Sequence, residues 1–280
     1  MPRRHWHELP TSVLAEVKAR VGPVLRVTSI EAGSVSDVAV VLETSQNRYF
    51  CKGVSPDNPK GWMHRNEALI NPCLPTRVPR LRWRVDTYGW LVLGFDYVPG
   101  RHPDLAPGSP DLPALASALM TMAAALTPCP AKDVQRATVR WAGRIAPGAI
   151  DGDTLVHTDV TPHNFLVNDA GITVVDWSMP CRGAAWIDTA LMVIRLIRAG
   201  HAPEQAEAWA SQIPVWADAR PEAVDAFAAG VAALNRERQH QRPSAGHLGP
   251  LADAAAAWTR YRAGGSVAER GMARESLAQH

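Results

Sequence analysis

The 280-residue sequence has only four cysteines, Cys51, Cys73, Cys129 and Cys181, scattered without a C-x-x-C pair or metal-ligand spacing. Their scatter excludes a disulfide framework and a structural zinc site, and reduced thiols in a cytoplasmic protein are the expectation. The chain also lacks a surplus of charge of either sign. Its net charge of +2 creates no strong field toward nucleic acid or anionic lipid, so neither is expected as a partner. A long apolar run is missing too: Ala190 to Ile197 is short and is interrupted by Arg195. The opening Met1-Pro-Arg-Arg-His-Trp-His is basic but has no apolar stretch behind it, and it does not read as a secretory signal. There is no internal repeat and no G-x-G-x-x-G. What remains, 46% hydrophobic and 20% charged residues, is the composition of an ordinary globular chain long enough for two lobes.

The order of elements divides the sequence. Thr11 or Ser12 caps a helix with Val13, Leu14, Val17 and Val21 on its apolar side, ending at Gly22-Pro23. Three β-branched runs follow, Val24 to Ile30, Asp37 to Glu43 and Arg48 to Val54, separated by turn signals. A helix from Lys60 to Asn71 and strands Leu81 to Val85 and Trp90 to Phe95 complete the first third. Pro99-Gly100-Arg-His-Pro103 then breaks the pattern. Beyond it the periodicity is mainly helical: Leu112 to Leu126, Ala131 to Arg144, Ala185 to Ala199, Pro203 to Gln212, Pro221 to Gln241 and Leu248 to Arg262. The expected fold is α+β and two-lobed. A small antiparallel sheet with a helix occupies 1–96, a hinge 97–103, a helical lobe 104–263, and a frayed or disordered tail 264–280.

Chemistry concentrates between residues 155 and 177. His157, Asp159 and Asn164 form H-x-D-x-x-x-x-N, and Asp176 ends a short apolar strand. Phosphoryl transfer needs one carboxylate to orient a hydroxyl and take its proton, a role that falls to Asp159. It also needs hard oxygens for magnesium, which Asn164 and Asp176 offer. His157 reads as a brace for the loop rather than a base. Any one of these residues alone would more often be a turn or cap residue. Here, however, Phe165-Leu-Val167 and Ile172-Thr-Val-Val175 flank the site as paired strands, with Asn168 to Gly171 as their hairpin turn.

The run His157-Thr-Asp-Val-Thr-Pro-His-Asn164, then Val175-Asp-Trp177, Gly183 and Asp188, resembles the aminoglycoside phosphotransferase (choline kinase-like) branch of the protein-kinase-like fold. The resemblance is specific over Val156 to Ala190, moderate over 24–100 and weak after about residue 200. It implies a two-lobed kinase with ATP, or else GTP, in the hinge cleft, Asp159 as catalytic base, and Mg2+ on Asn164 and Asp176. It also implies that Lys52, inward on an apolar strand, meets a phosphate and the carboxylate of Glu67 on the next helix; Glu43 is the other carboxylate near in sequence. The loop Glu31 to Asp37 departs from the glycine-rich pattern, but its backbone N–H groups with the Ser34 and Ser36 hydroxyls can cradle phosphates. Adenine would lie against Phe95-Asp-Tyr97-Val98. Asp188 is expected to be structural, holding amides of its own helix or of the catalytic loop. Ser178 stands where many relatives carry an acid, which leaves the local hydrogen bonding open.

The acceptor is not written in these motifs. The later helices balance carboxylates with arginines, and Asn235-Arg-Glu-Arg-Gln-His-Gln-Arg242 is more basic than acidic. That argues against a strongly polycationic acceptor and for a small hydroxyl compound, antibiotic or metabolite, with roles from antibiotic resistance to biosynthesis. A Ser or Thr of a peptide is the alternative acceptor. A non-catalytic nucleotide-binding scaffold is disfavoured, because Lys52, Asp159, Asn164 and Asp176 are all present.

Overall fold

The computed structural model describes residues 3–31, 33 and 35–278, with side chains through residue 264. The chain forms two compact units, Met1–His102 with His163–Met179, and Pro103–Pro162 with Pro180–His280.

The first unit begins with helix α1 (Thr11–Val21) and strands β1 (Val24–Ser29), β2 (Val38–Thr44) and β3 (Arg48–Val54). Helix α2 (Gly61–Ile70) and strands β4 (Leu81–Thr87) and β5 (Trp90–Asp96) follow. The strands form one sheet in the order β1-β2-β3-β5-β4, every neighbouring pair antiparallel. β2 is buried on both faces from Val38 to Leu42, which explains its unbroken apolar run. Strand alternation sorts the side chains into two layers. Val38, Val40, Leu42, Cys51 and Val92 pack with Val13 and Val17 of α1. On the other face Val54, Leu91, Leu93 and Phe95 pack with Ala68 of α2. Lys52, in step with Phe50 and Val54, therefore belongs to the second face.

Two tight features set the register at this sheet's edge. Thr87 pairs with Trp90 around Tyr88 (φ +48°) and Gly89 (φ +75°), the consecutive left-handed residues of a two-residue hairpin. Trp83 pairs with Gly94, and a Cβ on Gly94 would come within 2.0 Å of the indole. The glycine is the room the tryptophan occupies.

The chain then builds part of the second unit: α3 (Leu112–Ala125), the single turns α4 (Ala137–Arg140) and α5 (Pro147–Ile150), and β6 (Thr154–Val156). It returns to the first unit for the hairpin β7 (Phe165–Asn168) and β8 (Gly171–Val174). Last come β9 (Cys181–Gly183), α6 (Ile187–Arg198), α7 (Pro203–Ala210), α8 (Pro214–Ala217), α9 (Pro221–Gln241) and α10 (Leu248–Ala278). The helical core joins Ile187, Val193 and Leu196 of α6, Val224, Phe227 and Val231 of α9, and Ala255 and Trp258 of α10. Trp141 and Trp186 meet Phe227 edge-on at ring-centroid distances of 5.6 and 5.3 Å. Among the described residues no helix is long and apolar enough to cross a membrane.

Three sequence expectations change. The helix expected over Ala131 to Arg144 shrinks to α4. Arg136 is extended and forms a parallel bridge with Arg182, whose N–H donates to the Gln135 carbonyl at 2.9 Å. Backbone groups engaged in that pairing cannot also close helical turns. The tail expected from 264 is helical through Ala278, because α10 continues past Arg262. The lobe boundaries also move: residues 163–179, counted with the helical lobe, join the first unit, and that unit extends to His102 rather than ending at 96. Reciprocal backbone hydrogen bonds between Arg101 and Val167, at 3.1 and 2.7 Å, tie the hairpin there.

Candidate active site

The first unit contains a cavity of about 320 Å³. Sheet alternation aims Ala39, Val41, Phe50, Lys52 and Phe95 at it, and α2 contributes His64 and Glu67. Ser36, Tyr97, Val98, Asn164 and Asp176 line the same cavity. The residues assigned to nucleotide and metal from the sequence are thus brought together, apart from Ser34, which lies outside the described residues.

Lys52 is the electrostatic centre of this set. Its ammonium pairs with Glu67 and donates to Asp176 Oδ1 at 2.8 Å. Glu43, the other nearby carboxylate, pairs instead with Arg48 at 3.1 Å. Burial opposes the Lys52 charge, but Asp176 and Glu67 outweigh it and push the ammonium pKa above its ordinary value. One cation between two carboxylates leaves a negative excess, and the buried acid carries the cost. Burial pushes the Glu67 carboxyl up to about 7, with Lys52 pulling down and Asp176 pushing up.

His64 was missed in the sequence. It stands three residues before Glu67 on α2, so the two share a helix face. That spacing was the available signal. Its Nε2 lies 2.9 Å from Ser36 Oγ, joining α2 to the loop after β1. Burial and the Lys52 charge lower its pKa to about 4, so the ring is neutral at pH 7.

The β7–β8 hairpin carries the two oxygen donors. Phe165 pairs with Val174 and Asn168 with Gly171, the turn sitting where the alternation predicted it. The Val175 N–H donates to the Asn164 carbonyl at 2.9 Å, which fastens the two residues at the open end of the hairpin. Asp176 follows with φ +62°, a left-handed conformation uncommon outside glycine. Ser178, the departure from the family pattern, is buried, and its carbonyl accepts from Asn66 Nδ2 at 3.0 Å.

The second unit holds the base loop. The Asp188 carboxylate accepts from the His157 N–H at 2.7 Å and from the Thr158 N–H at 2.8 Å. Of its two expected partners, it takes the loop. Thr158 is itself left-handed, with φ +65°. Buried His157 accepts the Asp159 N–H at Nδ1, 3.2 Å away, and the Asp159 carbonyl accepts from Thr161 N–H at 2.8 Å. Burial raises the Asp188 carboxyl pKa, against the pull of His157 and the two amides. The loop backbone of Asp159 is therefore held from both sides.

Residues 133–221 match the APH model, the phosphotransferase enzyme family. The fold is similar to that of a thermostable mutant of aminoglycoside phosphotransferase APH(4)-Ia in ternary complex with AMP-PNP and hygromycin B. That match has TM-score 0.58 and 16% identity, covering 91% of this chain and 99% of the other. It is also similar to choline kinase LicA from Streptococcus pneumoniae, with TM-score 0.53 and 13% identity, covering 88% and 98%. No curated protein matches the sequence. The fold class is thus the two-lobed, protein-kinase-like one, and residues 133–221 carry the match to the phosphotransferase enzyme family. Within that class the likeness is to the aminoglycoside phosphotransferase (choline kinase-like) family, as the motif from His157 to Asp188 leads one to expect.

Proposed function

We propose that the protein transfers the γ-phosphoryl group of ATP to a hydroxyl of a small molecule in the cytoplasm. One observation carries the reading: Lys52 pairs with both Glu67 and Asp176 at the wall of a cavity that Asn164 also lines. A fixed cation with a free side toward the cavity suits phosphate oxygens, and its helix carboxylate keeps it in place. Ala39, Val41 and Phe95 offer apolar walls for a purine, with Tyr97 and Val98 backbone groups at its edge. Ser36 and its loop would cover the phosphates. The complexes of APH(4)-Ia with AMP-PNP and hygromycin B, and of LicA with AMP, support a nucleotide donor and a small acceptor.

Asn164 and Asp176 present one neutral and one charged oxygen to the same cavity, a hard donor pair that suits magnesium sharing phosphate and water. Bound there, the ion would supply neutralisation of charge on the phosphate oxygens. Lys52 holds the non-transferred phosphates. Asp159 accepts the hydrogen bond of the acceptor hydroxyl. The hydroxyl oxygen bonds to the γ-phosphorus as the bond to the ADP oxygen breaks, and the proton passes to the Asp159 carboxylate. His157 and Asp188 keep that loop in shape.

The test is ADP release with a panel of hydroxyl compounds, dependent on magnesium, with the phosphate position read by NMR. Asp159→Asn should lower transfer about 100-fold or more while the fold is kept. Transfer at the wild-type rate in that variant overturns the mechanism.

A further inference from the structure

Asp159 sits among arginines. Arg195 lies two helical turns beyond Asp188 on α6, and so on the face that holds the base loop. Asp159 and Arg198 are both within its electrostatic reach. From α9, Arg238 interacts with Asp159 and with Arg140, Arg144 and Arg242. Two contacts fix this cluster in the fold. Arg144 Nη2 is 2.6 Å from the Glu237 carboxylate on α9. Arg140 Nη1 is 3.8 Å from Cys181 Sγ, and Cys181 pairs with Val156, the residue before His157.

Two members of the cluster lack a protein partner. Arg195 is half-buried, and neither it nor Arg238 has a side-chain hydrogen bond or ion pair among the described residues. Burial lowers the pKa of both, the surrounding arginines lower it further, and the Asp159 carboxylate opposes them. Arg195 and exposed Arg238 repel each other and the arginines around them, and an oxyanion between the two relieves that repulsion and takes donors that no protein group holds.

We infer that the acceptor carries an anionic oxygen group, a carboxylate or a phosphate, which docks on Arg195 and Arg238 and presents the hydroxyl to Asp159. A guanidinium fork suits either oxyanion, whereas a polycationic acceptor would meet like charge. This rests on the phosphotransferase reading above, with Asp159 as base, and it names the substrate class of that site.

The test uses the full chain saturated with ADP and magnesium, so that phosphate probes are kept out of the nucleotide cavity. Glycerate, glycerol 3-phosphate, glycerol and choline are titrated by calorimetry. One or both anions should bind at least tenfold tighter than glycerol and choline, and which one does identifies carboxylate or phosphate. Arg195→Gln and Arg238→Gln should each erase most of that preference, Arg195→Lys should keep part of it, and ADP affinity should stay as it was. Arg238→Gln, at the surface, covers the case in which the Arg195 variant fails to fold. No preference for the anions, including no binding by any probe, overturns the inference. So does a preference that survives both substitutions. If ADP itself fails to bind, the phosphotransferase reading falls instead, and the two failures are distinguishable.

Discussion

Lys52 Nζ and Asp176 Oδ1 lie 2.8 Å apart although 124 residues separate them in sequence. The strand and the hairpin that carry them belong to the same compact unit, together with the helix that carries Glu67. The triad is therefore a property of how one unit is assembled from two stretches of chain, and its charges are interdependent.

Removal of the cation is the direct probe. Lys52→Met leaves buried Glu67 facing Asp176 with no cation between them, and should cost about 3 kcal/mol of stability, read from urea midpoints. Glu67→Leu added to it should restore most of the stability, because the buried charge goes too. Phosphoryl transfer should stay low in both variants. Recovery of transfer in the double variant would remove Lys52 from the mechanism.

His64 and Glu67 titrate in opposite senses. The Glu67 pKa is raised to about 7, so its contribution to stability is fully present below its unfolded value near 4.5 and is lost as pH rises through 7. The His64 pKa is lowered to about 4, so its contribution is present above 6.5 and is lost as pH falls through 4. Between about pH 4.5 and 6.5 the two slopes oppose each other. Relative to wild type, His64→Gln should lose stability as pH rises through this window, and Glu67→Gln should gain it. Urea midpoints at three pH values decide the matter, and parallel curves for all three proteins would reject both assignments.

Asp188 acts through the loop it holds. In Asp188→Asn one acceptor oxygen is replaced by a donor amide, so either His157 or Thr158 loses its partner, and left-handed Thr158 is no longer over-determined. The expected outcome is a fall in kcat of about 100-fold with little change in the KM for ATP. Stability should drop by about 1–3 kcal/mol, the cost of one unsatisfied buried amide. A KM effect as large as the kcat effect would point to the nucleotide cavity instead.

Much of the site was legible because its chemistry is local. Asp159 and Asn164 share one loop, and the apolar pairs around Asn168 to Gly171 announce a hairpin whose register needs no distant partner. The sheet order was not legible in the same way. β4 and β5 are hairpin neighbours in sequence, yet β5 pairs with β3 as well, and nothing in the local alternation of either strand specifies that. The helix expected over Ala131 to Arg144 failed for a related reason. Ala, Lys, Gln and Arg there favour a helix, but Val134, Thr138, Val139 and Gly143 do not, and a non-local bridge to Arg182 holds Arg136 extended.

The motif spacing alone pointed to the proposed reaction class. The loop from His157 to Asn164 and the step at Asp176 suggest their proposed roles by spacing, since short loops and two-residue turns have few conformations open to them. The bond from Lys52 to Asp176, the neutral His64 beside it and the arginines around Asp159 came only from the folded arrangement. Each depends on which strand face or helix face turns toward another element, and on how deeply burial then weights the charges. Sequence spacing carries no value for either quantity.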